Sequence, residues 1–167
     1  PMAVARQFFD PRTLRNATMH GSTLHAVVAT GDCLAHSGLA DGDKPAYGCY
    51  VGTKQHYPPY AKQAKGALIL AEGDGDGGWR FDDGRLALAM RAQSAFDFLR
   101  TLPNMTGSHV SIRGGFQGPV CSFLGSTASG LQAVIEAWRE IRDGRADGML
   151  AAGAWTPYDA LYMGYLA

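Results

Sequence analysis

Apolar residues at 131, 134, 135, 138 and 141 fall three and four apart, the period of a helix with one apolar stripe, and the stretch stops at Asp143 and Gly144. Residues 149–154, MLAAGA, then predict a strand. Upstream, residues 120–124 form a short apolar segment that suits a strand buried on both faces, and the small residues GSTASG follow it. Strand, tight turn, helix and strand within about 35 residues make a βαβ unit, whose two strands lie parallel.

Earlier segments pattern less sharply. Met19, Leu24, Val27, Val28, Cys33 and Leu34 keep loose helical spacing, which predicts a helix over 11–36 closed by Ser37 and Gly38. Residues 46–53, AYGCYVGT, predict a short strand. Residues 54–85 are expected to be an irregular insertion, because the glycine and aspartate density of EGDGDGGWRFDDGR favours loops over a packed element. Residues 86–99 repeat as a helix interrupted by Pro103, and 109–113 alternate as a strand before the turn GGFQGP. We expect one domain over 1–167, of the α/β class.

Charge narrows the function classes. Fifteen basic side chains cancel fifteen acidic ones, so no broad footprint for nucleic acid exists. Cys33, Cys49 and Cys121 lack metal-ligand spacing and are an odd set, which points to reduced thiols. Asp74, Asp76, Asp82 and Asp83 fail the EF-hand calcium pattern, so neither a metal nor a cofactor is expected. The opening PMAVARQFFDP carries no secretory pattern and no run is long enough to span a bilayer, so a cytoplasmic location is expected.

The small residues between strand and helix are the chemically promising place. A helix N-terminus offers amide donors and a partial positive charge, and Gly125, Ser126, Ala128, Ser129 and Gly130 would let a ligand approach the backbone. The plainer alternative is that Ser126 or Thr127 caps the helix.

GPVCSFLGSTASGLQAVIEAWREIRDGRADGMLAAGA resembles the central motif of β-ketoacyl synthases, the thiolase-fold condensing enzymes of fatty acid and polyketide synthesis. VSIRGGFQGP is similar to the strand and turn before that motif, and Met19, HSGL at 36–39 and YVGT at 50–53 fit the family's earlier helix and second strand. The resemblance implies half of a thiolase-like fold, a layered α-β-α arrangement on a mostly parallel mixed sheet. Aligned through Gly118, Pro119 and Gly130, the family's nucleophilic cysteine position is occupied by Thr127. A thiol at a helix N-terminus is activated, whereas an alcohol stays protonated without an adjacent base. Ser126 does not rescue catalysis, since Ala128 replaces the second glycine of a GxSxG elbow, and Cys121 reads as a structural thiol.

None of His20, His25, His36, His56 and His109 matches the histidines that the family places in its C-terminal half. Half of such a fold leaves its central helix facing nothing, so something should cover it. The resemblance therefore implies a noncatalytic subunit like the chain length factors, in an oligomer with a competent ketosynthase and with an acyl carrier protein as a further partner. Its dimer strand would be Val120, Cys121, Ser122, Phe123 and Leu124, and its acyl tunnel would draw on Leu102, Met105 and Phe116. A condensing enzyme or acyltransferase assembled from two chains, and a fragment of a longer ketosynthase, stay open as alternatives.

Overall fold

The computed structural model describes residues 19–39, 44–54, 60–73, 76, 78–92, 95–125 and 127–155. Helix α1 spans Gly21–Ser37. It begins where the His20 ring accepts the Ser22 amide at 3.3 Å. It ends where Gly38, at φ 73°, returns its amide to the Leu34 carbonyl, a left-handed turn that glycine adopts without a Cβ penalty. Its C-terminal end lies where the spacing predicts it, while residues 11–18 of the predicted helix lie outside the described residues.

Three parallel strands form the main sheet. They are β1 (Tyr47–Thr53), β4 (Val120–Leu124) and β5 (Gly148–Ala154), ordered β4-β1-β5. Thr53 stands opposite Leu124 on one side and Ala154 on the other, so all three strands finish level at their C-terminal ends. The βαβ unit is present, with β1 inserted between its two strands. Parallel pairing requires crossovers, and the helices that supply them cover both faces of the sheet.

One face carries α1 together with α5 (Asn104–Gly114). Here the expectation of a strand over 109–113 is overturned. Thr106, Gly107, His109, Val110 and Gly114 are the buried positions, a helical period, and Ile112 points to solvent. The apparent alternation spans only five residues, too few to outweigh packing contributed by the preceding turn. Thr106 shares a hydrogen bond of 2.9 Å with Thr23 of α1, and the Gly107 amide donates to Ser122 Oγ of β4 at 3.2 Å. A Cβ on Gly107 would lie 2.5 Å from that oxygen, so glycine permits the approach. Between these helices and the sheet lies the core of Ala26, Val27, Leu34, Cys49, Val51, Val110, Phe116 and Ala154.

The other face carries α6 (Ser129–Arg142), which arrives on small side chains. Ser129, Ala133 and Ala137 are its buried residues, and the helix meets a sheet surface containing Gly52 and Gly153. At this seam Tyr50 of β1 donates its hydroxyl to Glu140 Oε1 at 2.8 Å. The apolar stripe predicted from the sequence faces away from the sheet. Leu131, Val134, Ile135, Trp138 and Ile141 remain 42–63% exposed.

Residues 60–85 hold more regular structure than the loops expected over 54–85, and the segment predicted as a helix over 86–99 follows them. Together they hold α2 (Tyr60–Leu70), the antiparallel hairpin of β2 (Ala71–Gly73) and β3 (Trp79–Phe81), a short 3-10 turn over Asp83–Arg85, α3 (Leu86–Arg91) and α4 (Ala95–Leu99). The run AKQAKGALIL is rich in alanine, leucine and lysine, all strong helix formers, and it becomes α2. The ends of the glycine-rich stretch pair as Ala71–Gly73 and Trp79–Phe81, while residues 74, 75 and 77 of the expected loop lie outside the described residues, and the helix predicted over 86–99 is divided in two. Among the described residues the main sheet is wholly parallel, and antiparallel pairing is confined to this hairpin.

Candidate functional site

At the C-terminal ends of β1 and β5 a cavity of about 360 Å³ opens beside the N-terminus of α6. That volume lies in the range of small-molecule sites, and strand ends are where parallel sheets bind ligands. Its described lining is Gly52, Thr53 and Lys54 from β1 and its exit, Thr127, Ser129 and Gly130 from the entry to α6, and Gly153, Ala154 and Trp155 from β5 and its exit.

Close backbone packing builds the floor. A Cβ on Gly52 would lie 2.3 Å from the Gly130 nitrogen, and Gly130 and Gly153 face each other with no side chain between them. Ser129 Oγ donates to the Thr53 carbonyl at 3.4 Å and the Gly125 amide donates to the same carbonyl at 3.1 Å, which ties the start of α6 to the end of β1. Lys54 and Trp155 each follow the last residue of a neighbouring strand, and Lys54 Nζ sits 4.1 Å above the indole centroid. Such a contact holds the ammonium in place at the cavity wall. The sequence pattern did not single out either residue; the signal that finds them is their position one past the end of adjacent parallel strands.

Thr127 is exposed and lines this cavity, so the structure brings it to the promising turn. The N-cap of α6 is Ala128, which supplies no capping side chain. Ser126 lies outside the described residues. The described lining contains no histidine, cysteine or carboxylate. What the arrangement offers is therefore a polar cradle: a helix N-terminus, an ordered cation and bare backbone, suited to holding an electron-rich group.

Other candidate residues lie elsewhere. Phe116 is 6% exposed and packs in the core against Gly114, while Leu102 and Met105 lie half-buried at the entry to α5, and none of the three lines the cavity. Residues 120–124 are not buried on both faces. β4 pairs only with β1 among the described strands, and its ends Val120 and Leu124 are exposed, while Cys121, Ser122 and Phe123 are half-buried. Ser122 faces α5, and the Phe123 ring meets Tyr50 edge-on at 5.5 Å.

His109 is buried on α5, away from the cavity, and its pKa is held below the ordinary value by burial first and by the Arg113 charge second. Cys49 is buried in the core, where desolvation pushes its thiol up to about 12. Among the described residues no group of three metal-ligating side chains occurs, and no helix is long and apolar enough to cross a membrane. Asp74 lies outside those residues; Asp82 caps the amide of Gly84 at 2.8 Å and pairs with Arg85.

Comparison with known proteins agrees with this architecture. Residues 3–166 match the family described as Beta-ketoacyl synthase, N-terminal domain. Nodulation protein E of Rhizobium sp. (strain N33) is 28% identical over 145 residues, covering 84% of this chain and 31% of that protein. A Streptomyces violaceoruber protein described as β-ketoacyl synthase 1 of the granaticin polyketide system is 31% identical over 151 residues, covering 89% of this chain and 33% of its own length. Among solved structures, a chain of AntDE:AntF, a type II acyl-carrier protein in complex with its ketosynthase bound to the hexaketide, superposes with a TM-score of 0.71 at 20% identity, over 97% of this chain and 42% of that one. The chain thus spans about a third of the length of these curated relatives. The family match over nearly all its residues makes this chain a member of the β-ketoacyl synthase family, corresponding to the family's N-terminal domain.

Proposed function

We propose that the chain is a noncatalytic ketosynthase-like subunit of the chain length factor type, which pairs with a catalytically competent ketosynthase of a type II polyketide, aryl polyene or fatty acid system. The observation that carries this reading is the cavity at the start of α6, where a threonine occupies the place the family resemblance gives to the nucleophilic cysteine. Removing a proton from an alcohol of this kind needs a neighbouring base, and the described lining supplies neither a histidine nor a carboxylate. The cradle can still hold a carbonyl or carboxylate group beside the α6 N-terminus without forming a covalent bond to it.

Two further observations support pairing. β4 presents a free edge among the described strands, and edge strands satisfy their backbone groups by adding a strand from another chain. The stripe on α6 leaves a tryptophan and four aliphatic side chains about half exposed, an apolar surface suited to contact with a partner. That stripe equally favours the second reading, a condensing enzyme or acyltransferase completed by another polypeptide. Thr127 weighs against the acyl-enzyme step such an enzyme would need.

The test is to purify the chain alone and with candidate ketosynthases from its own genome, measuring complex mass by light scattering and acyl loading by intact mass spectrometry. A mixed complex with acyl mass only on the partner is the expected result. A folded chain that ignores every synthase would refute the pairing, and acyl mass on this chain, lost on Thr127→Ala or Ser126→Ala, would refute the noncatalytic role.

A further inference from the structure

Lys54 is the one charged residue in the described lining of the cavity beside α6, and the elements that frame it do not oppose its charge. β1 and β5, which end at the cavity, carry no aspartate or glutamate, and the first turn of α6 has no acidic side chain. Glu136, the first carboxylate along α6, follows Ser129 by seven residues, roughly 10 Å along the helix axis, which is about one Debye length in ordinary salt. The Thr53 carbonyl, whose oxygen would repel an anion, is already engaged by Ser129 Oγ at 3.4 Å and by the Gly125 amide at 3.1 Å.

Lys54 is also held in place. Its Nζ lies 4.1 Å above the Trp155 ring centroid, and because Thr53 stands opposite Ala154 the two residues leave neighbouring strands side by side. A ring face attracts the ammonium through its charge, and an ammonium carries three N–H donors, so the same group can serve a ligand as well as the ring. A cation positioned before the ligand arrives loses less freedom on binding.

We infer that Lys54 is the specificity-determining residue of this cavity and selects a short-chain organic acid, taking the carboxylate at its ammonium and the apolar tail along Ala154 and the bare backbone of Gly130 and Gly153. One ammonium balances one carboxylate, whereas a phosphate group carries about −1.5 to −2. The volume of about 360 Å³ stands at the small end of ligand sites, which suits a short tail. This inference deepens the noncatalytic cradle and rests on that reading of the site; it does not rest on pairing with a synthase.

The experiment is an amide NMR titration of the whole isotope-labelled chain with butanoate, with its uncharged counterpart butanamide and with inorganic phosphate. The signals followed are the Gly130 and Gly153 amides and the Trp155 indole N–H. The titrations are repeated on Lys54→Met, which keeps a long unbranched side chain without the charge, and on Lys54→Arg, which keeps the charge. Circular dichroism of both variants should match that of the parent, since position 54 follows the end of β1.

The expected result is a saturable shift with butanoate whose dissociation constant rises about 10- to 100-fold in Lys54→Met, the loss that removing a charge-assisted hydrogen bond produces, and stays within about threefold in Lys54→Arg. Butanamide should bind at least about 10-fold more weakly than butanoate. Butanamide binding as tightly as butanoate, a Lys54→Met variant that binds undiminished, or no saturable shift up to the solubility limit of butanoate would each overturn the inference. Phosphate binding as tightly as butanoate would overturn the assignment to a short-chain acid. A chain that binds butanoate yet ignores every synthase loses only the pairing, and one that pairs yet binds no acid loses only this inference.

Discussion

Replacing Gly52 with alanine puts a methyl group where the start of α6 already lies. The new Cβ would stand 2.3 Å from the Gly130 nitrogen and the Ser129 carbonyl oxygen, whereas ordinary contact begins near 3.4 Å. The obstructing atoms are backbone, so no side chain can rotate aside and the helix must retreat by a little over 1 Å. A gap of that size forfeits about a quarter to a half of each dispersion contact along the seam, and the 2.8 Å bond from Tyr50 to Glu140 crosses the same interface. Overpacking typically costs about 1–3 kcal/mol, and a backbone obstruction belongs at or above the upper end, so Gly52→Ala should cost about 3 kcal/mol.

The assay is urea unfolding followed by circular dichroism. With m near 1–3 kcal/mol per molar, the midpoint should fall by about 1–3 M. Gly21→Ala is the internal control. It lies in α1 with nothing within 4 Å of its added Cβ, so it should raise stability by about 0.5–1 kcal/mol through helix propensity and a less flexible unfolded chain. If Gly52→Ala moves the midpoint by less than Gly21→Ala does, the argument that backbone approach sets the α6 seat is wrong.

Acid should weaken the fold through His109, whose folded pKa lies below its unfolded value near 6.5. The unfolded chain then binds the extra proton first, so stability is complete above about pH 6.5 and falls by up to roughly 1.4 kcal/mol per pH unit down to the depressed folded pKa. Urea midpoints measured from pH 7.5 to 5 should show that slope, and His109→Gln should flatten it. Asp97→Ala should cost about 1–2 kcal/mol by removing the buried partner of Lys62, whose own side chain is 47% exposed and rehydrates; an unchanged urea midpoint would count against the pair as a tether. Cys49, buried and with its thiol pushed up to about 12, should resist iodoacetamide at pH 8 in the folded chain and react only on unfolding, while exposed Cys33 labels at once, as peptide mass mapping would show.

The sequence was most readable where one local pattern and the tertiary packing agreed. The stripe 131–141 gave α6, and the short apolar runs before and after it gave β4 and β5 in a parallel sheet. Burial on α6 was inverted relative to that pattern, because glycine and alanine positions set the helix against the sheet and the large side chains were left for another surface. α5 was misread for a related reason: Thr106 and Gly107, which anchor it to α1 and β4, carry no hydrophobic signal. At the site, Thr127 was visible as the residue after a strand and before a helix. Lys54 and Trp155 were not, since their meeting depends on β1 lying beside β5, a pairing across about a hundred residues that no local window contains.

The order of the strands also bears on synthesis. β1 is the middle strand, yet both of its partners come later in the chain: β4 begins 67 residues after β1 ends, and β5 follows only after α6. At roughly 5–20 residues per second, β1 leaves the ribosome several seconds before either neighbour exists. During that interval its two edges are both open, and among the described elements the Val51 and Cys49 side chains that will be buried have α1, and later α5, to shelter them. Long-range parallel pairing of this kind is slow and exposes nascent chains to misassociation, so the nascent protein's hazard lies at its centre, and a chaperone that holds residues 47–53 would protect it where it most needs protection.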